Sequence, residues 1–126
     1  MPVVIEFKIE TDFIQANVSG EYSLDSAKST FNELAEKIVR TKITKVFIDC
    51  RQLKNLHLFK GDEFDYADSV AMSIIQTGLR VKIAFLHSPD NYFEILEFSR
   101  KIGYNLFAII KVFKNHEEAI RWVTEK

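Results

Sequence analysis

The chain has 126 residues, of which 47% are hydrophobic and 28% charged, and its formal net charge is −1. This length is typical of one domain, and the apolar content is sufficient for a single core. We therefore predict one domain over residues 1–126, without extended disorder. Acidic and basic residues are interleaved, so the basic stripe of a nucleic-acid-binding protein is absent and nucleic acid is not an expected partner.

The first residues lack the basic start and apolar run of a signal peptide, and no apolar run is long enough to span a bilayer. We therefore expect a cytoplasmic protein with no integral membrane segment. Cys50 is the single cysteine and follows an apolar run, which predicts a buried filler residue rather than a reactive thiol.

The N-terminal third predicts a β-hairpin followed by an amphipathic helix. Apolar residues alternate over residues 3–9, and a second strand-like run over residues 13–19 follows a tight connection. Apolar residues then recur at helical spacing over residues 24–39, including Val39. Ser23 is the predicted N-cap of this helix.

The rest of the chain alternates strands with helices. The predicted strands are residues 45–50, 81–87 and 108–113, and the predicted helices are residues 62–77, 88–102 and a closing helix after residue 115. Ser88 and Pro89 are typical of a helix start, and Asn115 with Glu118 resembles a capping box. Strands joined through single helices run parallel by right-handed crossovers. The order ββαβαβαβα therefore predicts an α/β domain with a mostly parallel mixed sheet and an N-terminal hairpin.

Three segments carry a family resemblance: GEY at residues 20–22 before the first helix, VFIDCR at residues 46–51, and VFKNHEEAIRW at residues 112–122. Together they resemble the STAS family, typified by the anti-sigma-factor antagonist SpoIIAA. They are more closely similar to the stand-alone bacterial SpoIIAA-like, or STAS/SEC14-type, domains. The resemblance implies a SpoIIAA-like sheet with helices largely on one face, and a role in signalling.

The sequence departs from the antagonist pattern at one functional position. SpoIIAA-type antagonists carry Asp-Ser-Ser-Gly where the loop after the third strand meets the second helix, and a serine there accepts phosphate from a partner kinase. Residues 56–64 of this chain read LHLFKGDEF and contain no serine or threonine. A phosphate acceptor is therefore not carried over, although Asp62 supplies a negative charge near that position.

The predicted connection over residues 53–59 contains several large apolar residues. Loops usually carry polar residues, so these side chains must fold onto the core, line an apolar pocket or meet a partner, including a second copy in a homodimer. Tyr66 and Met72 of the second helix are expected to face the same space. The candidate ligand- or partner-binding residues are Leu56, His57, Leu58, Phe59, Tyr66 and His87.

Polar residues also follow two neighbouring strands, where open parallel sheets usually bind ligands. They are Asp49, Arg51 and His57 after one strand, and His87, Ser88 and Asp90 after the next. Each also has a structural explanation, such as an Asp49–Arg51 pair, helix-start roles for Ser88 and Asp90, and an ordinary strand-end position for His87. Their spacing matches no compact metal site, and nucleotide-binding and nucleophile-elbow motifs are absent. We expect no cofactor, no metal and no catalytic residue.

Three functions are compatible with these features. The first is a non-catalytic STAS-like binding or regulatory domain for a small apolar or lipid-like ligand or a protein partner. The second is an anti-sigma-antagonist-like signalling protein without the phosphoserine site. The third is a small enzyme that uses His87 with Asp49 or Asp90, which requires these side chains to meet in a cleft.

Overall fold

The computed structural model describes residues 4–21, 23–54, 63–87 and 108–125. These residues form five strands and three helices. In chain order the elements are β1 (Val4–Ile9), β2 (Ile14–Glu21), α1 (Leu24–Thr41), β3 (Lys45–Lys54), α2 (Glu63–Thr77), β4 (Val81–Leu86), β5 (Ala108–Phe113) and α3 (His116–Thr124). The helix predicted over residues 88–102 lies outside the described residues.

The described strands form one sheet in the order β1-β2-β3-β4-β5. β1 and β2 are antiparallel, and every other neighbouring pair is parallel. The hairpin turns at residues 11–12, where the Glu10 N–H donates to the Phe13 carbonyl at 2.9 Å. The predicted α/β class, the mostly parallel mixed sheet and the N-terminal hairpin are confirmed.

One face of the sheet carries the larger core. Phe31, Leu34 and Ile38 of α1 and Ile74 of α2 are buried against strand residues such as Ile48. α1 begins where predicted, because the Ser23 side chain accepts a hydrogen bond from the Ser26 N–H at 3.2 Å. It ends at Lys42, whose left-handed backbone (φ 62°) lets its N–H donate to the Ile38 carbonyl at 2.8 Å.

The opposite face is covered by α3. Ala119 and Val123 are buried in a second cluster with residues of β3, β4 and β5, namely Phe47, Ala84, Leu86 and Phe113. α3 begins at its predicted cap, because the Asn115 Oδ1 accepts from the Glu118 N–H at 3.0 Å. Two of the described helices therefore share one face, and the closing helix lies on the other.

β3 is longer than predicted. The sequence places its end at residue 50, but it continues to Lys54 and pairs Leu53 with Gly20 of β2. Leu53 is therefore half-buried against the main core instead of lying in an exposed connection. The prediction was wrong here because residues 51–52 are polar and exposed, so the apolar pattern stops while β2 still offers backbone hydrogen bonds.

Two lysines on neighbouring strands satisfy the C-terminal end of α3. Lys45 Nζ donates to the carbonyls of Thr124 (3.3 Å) and Glu125 (3.1 Å), and Lys82 Nζ donates to the Trp122 carbonyl. The last carbonyls of a helix lack internal partners and carry its negative dipole end, so cations stabilise them. Lys82 also lies over the Trp122 ring, 4.5 Å from its centroid. These contacts fix the end of α3 against the start of the parallel strands.

We predict that Lys82→Met lowers the free energy of unfolding by about 1–2 kcal/mol, because it keeps the alkyl stem but removes the charged donor. Urea unfolding at pH 7 measures the change. The matched control is Lys54→Met, at the exposed end of β3. Surface substitutions usually change the free energy of unfolding by less than about 0.5 kcal/mol, so this variant should be close to the wild type. Equal losses in the two variants would contradict this role for Lys82.

Candidate functional site

Only some of the predicted site residues lie within the described part of the structure. Residues 56–59, which include Leu56, His57, Leu58 and Phe59, lie outside the described residues, as do Ser88 and Asp90. Tyr66 belongs to α2, but its side chain is not described. Of the six predicted binding residues, His87 has a described side chain.

His87 follows β4 and is buried. Its N–H donates to the Phe113 carbonyl at 3.1 Å, and its side chain is only 2% exposed. The ring lies beside Phe85, with centroids 6.2 Å apart. Within the described part of the chain, neither ring nitrogen has a hydrogen-bond partner. Burial lowers the pKa of His87 to about 3, against the smaller opposing effect of the Asp49 charge. The imidazole is therefore neutral at physiological pH.

Asp49 is held by Arg51 rather than by His87. The Arg51 guanidinium donates to both carboxylate oxygens, from Nε to Oδ1 at 3.0 Å and from Nη2 to Oδ2 at 2.8 Å. The Arg51 backbone N–H also donates to Oδ1, at 3.1 Å. Partial burial alone would raise the pKa of Asp49, but these hydrogen bonds, the Arg51 charge and the nearby His116 together lower it. The predicted Asp49–Arg51 pair forms, and an Asp49–His87 hydrogen bond does not.

The remaining polar groups of this edge do not assemble a reactive centre. His116 is exposed at the start of α3, and its ring meets the Phe47 ring edge-on, with the centroids 5.2 Å apart. Cys50 is buried in the core, and that burial raises the pKa of its thiol. Among residues 4–21, 23–54, 63–87 and 108–125, no group of three or more His, Cys, Asp or Glu side chains is placed to hold a metal ion.

A groove of about 790 Å³ runs between the outer sides of α1 and α2. Asn32 and Ser73 line it, and the Ser73 Oγ donates to the Asn32 Oδ1 at 2.7 Å. Val39 also lines the groove, while Met72 lines a smaller one that shares Asn32 and Ser73 with it. The two helices thus present a continuous surface that is polar at its centre. We call it the α1–α2 surface.

Exposed apolar residues flank this surface. Met72 is 53% exposed and Ile75 is 54% exposed, and Val39 is exposed to a lesser degree. The apolar pattern of residues 24–39 predicted that Val39 faces the core, and this prediction was wrong. Residues 38 and 39, like residues 74 and 75, lie about 100° apart around a helix, so only one of each pair faces the sheet. Two adjacent apolar residues in an amphipathic helix therefore indicate that one of them is exposed, and both helices contain such a pair.

A smaller apolar pocket of about 310 Å³ lies at the C-terminal end of α2. Its lining residues are Ile74, Ile75, Gly78, Leu79 and Arg80. Gly78 follows the last residue of the helix and has a left-handed backbone (φ 68°), which glycine adopts readily. The pocket shares Ile75 with the α1–α2 surface. None of the described helices is long and apolar enough to cross a membrane.

No protein-family model matches the sequence, and no curated protein is similar to it in sequence. Similar solved structures nevertheless span almost the entire chain. An anti-sigma factor antagonist from Mycobacterium paratuberculosis matches with a TM-score of 0.63 and 10% identity, over 98% of this chain and 95% of that one. An uncharacterized protein of the DUF3478 family from Shewanella loihica, with a SpoIIAA-like fold, matches with a TM-score of 0.57 and 14% identity, over 97% and 94%.

The Bacillus cell fate determinant SpoIIAA in its phosphorylated form is also similar, with a TM-score of 0.52 and 10% identity over 95% of this chain and 99% of that one. At these identities the likeness establishes the fold. The chain has the SpoIIAA-like, or STAS, fold, as its sequence segments predicted.

We predict that His87 makes the protein sensitive to acid. The unfolded imidazole binds a proton below its usual pKa of about 6.5, whereas the folded imidazole resists protonation down to a pKa of about 3. The unfolded state therefore binds more protons between these values, and stability falls as the pH falls through this window. The slope from this residue approaches about 1.4 kcal/mol per pH unit.

His87→Leu should remove this contribution, so its free energy of unfolding should decline less than that of the wild type between pH 7.5 and pH 4. Comparing urea unfolding of the two proteins at each pH cancels the contribution of the shared carboxylates. His116→Gln, which removes an exposed histidine, is the matched control and should keep the steeper decline. Parallel curves for wild type and His87→Leu would refute the prediction.

Proposed function

We propose that this chain is a non-catalytic, cytoplasmic regulatory domain that binds a protein partner through the α1–α2 surface. The observation that carries the proposal is the exposure of three large apolar side chains on the outer sides of α1 and α2. Val39 lines the larger groove, Met72 the adjoining smaller groove, and Ile75 the pocket at the end of α2. Apolar residues around a polar centre are the composition expected of a protein-binding surface. The sequence also predicts Leu56, Leu58 and Phe59 as partner-binding residues, and these lie outside the described residues.

The charges beside the groove limit what the partner can be. Glu33, Glu36 and Arg40 of α1 line it, and Lys28 and Asp65 line the adjoining smaller groove. Both signs are present, so the surface suits a partner with mixed charges and does not suit a polyanion such as nucleic acid. A folded protein that offers apolar side chains to Met72 and Ile75 meets these conditions.

The partner class we propose is an anti-sigma factor, since two of the similar structures are named as an anti-sigma factor antagonist and as SpoIIAA. The SpoIIAA structure is of the phosphorylated form. In this chain residues 56–64 contain no serine or threonine. We therefore propose that binding here is not controlled by phosphorylation at that position.

A catalytic role is less well supported. The enzyme hypothesis needs His87 to share a proton with Asp49 or Asp90 in an accessible cleft. The His87 ring is buried, and Asp49 is already held by Arg51. Asp90 lies outside the described residues, so the structure offers no described acid–base pair for this reaction.

The test is site-specific photo-crosslinking in cells of the source organism, with a photoreactive amino acid at position 72. We expect one dominant crosslinked protein, identified by mass spectrometry as a kinase-like anti-sigma factor. Adding Ile75→Glu to the same chain should reduce the crosslink at least tenfold, because a charge replaces an apolar contact.

The matched control is Ile109→Glu, which makes the same change at an exposed isoleucine on β5, away from the α1–α2 surface. It should leave the crosslink unchanged. Loss of the crosslink in both variants, or a crosslinked protein that is not a regulatory partner, would refute the proposal.

A small apolar ligand is the second candidate, and the pocket lined by Ile74, Ile75 and Leu79 favours it. Its volume is near the lower end for small-molecule sites, and Arg80 supplies a cation for the carboxylate of a fatty acid. Native mass spectrometry of the purified protein tests this alternative. An added mass that disappears on denaturation, and is absent from Ile75→Glu, supports a ligand; a bare chain mass excludes one that survives purification.

A further inference from the structure

β1 is an edge strand of the sheet. Within the described residues it pairs with β2 and with no other strand. The Glu10 N–H bonds to the Phe13 carbonyl at the turn, so residues at even positions direct their backbone groups toward β2. Ile5, Phe7 and Ile9 consequently direct their N–H and C=O groups outward. An edge of this kind is a template for pairing with another strand.

The two faces of β1 differ in chemistry. Ile5 and Phe7 are half-buried against the main core, with Lys37 Nζ 4.7 Å from the centre of the Phe7 ring. Ile9 continues the same face but is 53% exposed. Glu6 and Lys8 are exposed on the other face.

We propose that β1 pairs antiparallel with β1 of a second copy of this chain, about a two-fold axis at Phe7. In this register Glu6 of each chain lies opposite Lys8 of the other, twice per dimer. The odd-numbered residues, whose backbone groups point outward, meet one another as Ile5–Ile9, Phe7–Phe7 and Ile9–Ile5. Such a ladder contains about six interchain hydrogen bonds.

Other registers are disfavoured by charge or by hydrogen bonding. Centring the pair on Glu6 places two glutamates opposite each other, and centring it on Lys8 opposes two lysines, which is destabilising. A register shifted by one residue matches outward-pointing with inward-pointing backbone groups, so no ladder forms. Centring the pair on Ile9 opposes Lys8 to Glu10, but this register uses only the last residues of β1 and lacks the Ile5–Ile9 pairs. Charges on an edge strand usually prevent association, but Glu6 and Lys8 are complementary in the register centred on Phe7, which uses more of β1.

Pairing in this register also covers the exposed apolar side chains of the edge. Residues directly opposite in an antiparallel pair lie on the same face of the sheet. Ile9 therefore packs against Ile5 of the second copy, and the two Phe7 rings meet near the axis. The dimer joins two sheets through β1 and leaves the α1–α2 surface of each copy, on α1 and α2, outside the interface.

Sedimentation velocity over a range of protein concentrations tests the proposal, with thermal unfolding used to verify that each variant is folded. The wild type should show a concentration-dependent monomer–dimer equilibrium that weakens as salt is raised. Glu6→Lys and Lys8→Glu should each weaken dimerisation by roughly tenfold or more, because each opposes like charges twice per dimer.

The decisive sample is an equimolar mixture of the two single variants. It sets a positive edge against a negative edge and should restore association to near the wild-type level, as should the double variant Glu6→Lys/Lys8→Glu. A monomeric wild type at several hundred micromolar would overturn the proposal. So would a dimer that is insensitive to the single changes, or one that neither the mixture nor the double variant restores.

A backbone variant tests the hydrogen bonds separately. Ile9→Pro removes an N–H that points away from β2, a position where an edge strand tolerates proline, and it should abolish dimerisation while the hairpin remains folded. Ile75→Glu, on the α1–α2 surface, should leave the dimer intact. Because the partner test and the dimer test rely on different residues, the failure of one proposal is distinguishable from the failure of the other.

Discussion

The strand β3 presents apolar side chains to both faces of the sheet, with Val46 and Ile48 in the larger core and Phe47 in the smaller one. A parallel strand of this kind is stable only where both faces are covered. α1 and α2 cover one face, and α3 covers the other. The positions of the helices, and thus of the surfaces they expose, depend on this requirement.

α3 is held at both of its ends. Asn115 satisfies an N–H at its start, and Lys45 and Lys82 satisfy carbonyls at its end. The two lysines lie at the starts of β3 and β4. His116, at the other end of α3, lies beside Phe47 and near Asp49, which are further along β3. α3 therefore spans the face from one end of the strands to the other and closes it.

This arrangement determines which polar groups remain available for function. His87 is enclosed and neutral, and Asp49 is committed to Arg51. The edge where parallel sheets usually bind ligands is thus occupied, in the described residues, by structural interactions. The accessible features lie elsewhere, on the outer sides of α1 and α2 and along the free edge of β1.

The sequence by itself determined the order and type of the described elements, the caps at Ser23 and Asn115, and the SpoIIAA-like fold. The elements and their caps depend on local interactions, namely side-chain periodicity and hydrogen bonds between residues three apart in the chain, which are visible in a single sequence. The pairing of Asp49 with Arg51 was predictable for the same reason, because only one residue separates them along one strand. The SpoIIAA-like fold was implied by the resemblance of three sequence segments to the STAS family.

Only the tertiary structure decided the extension of β3 to Lys54, since that depends on how far β2 continues beside it. It also decided that Ile38 and Ile74 are buried while Val39 and Ile75 are exposed, because hydrophobicity is the same in each pair and only the direction of the sheet distinguishes them. The burial of His87 has the same origin. Local sequence records the chemistry of a side chain, but its environment is set by distant segments that pack around it.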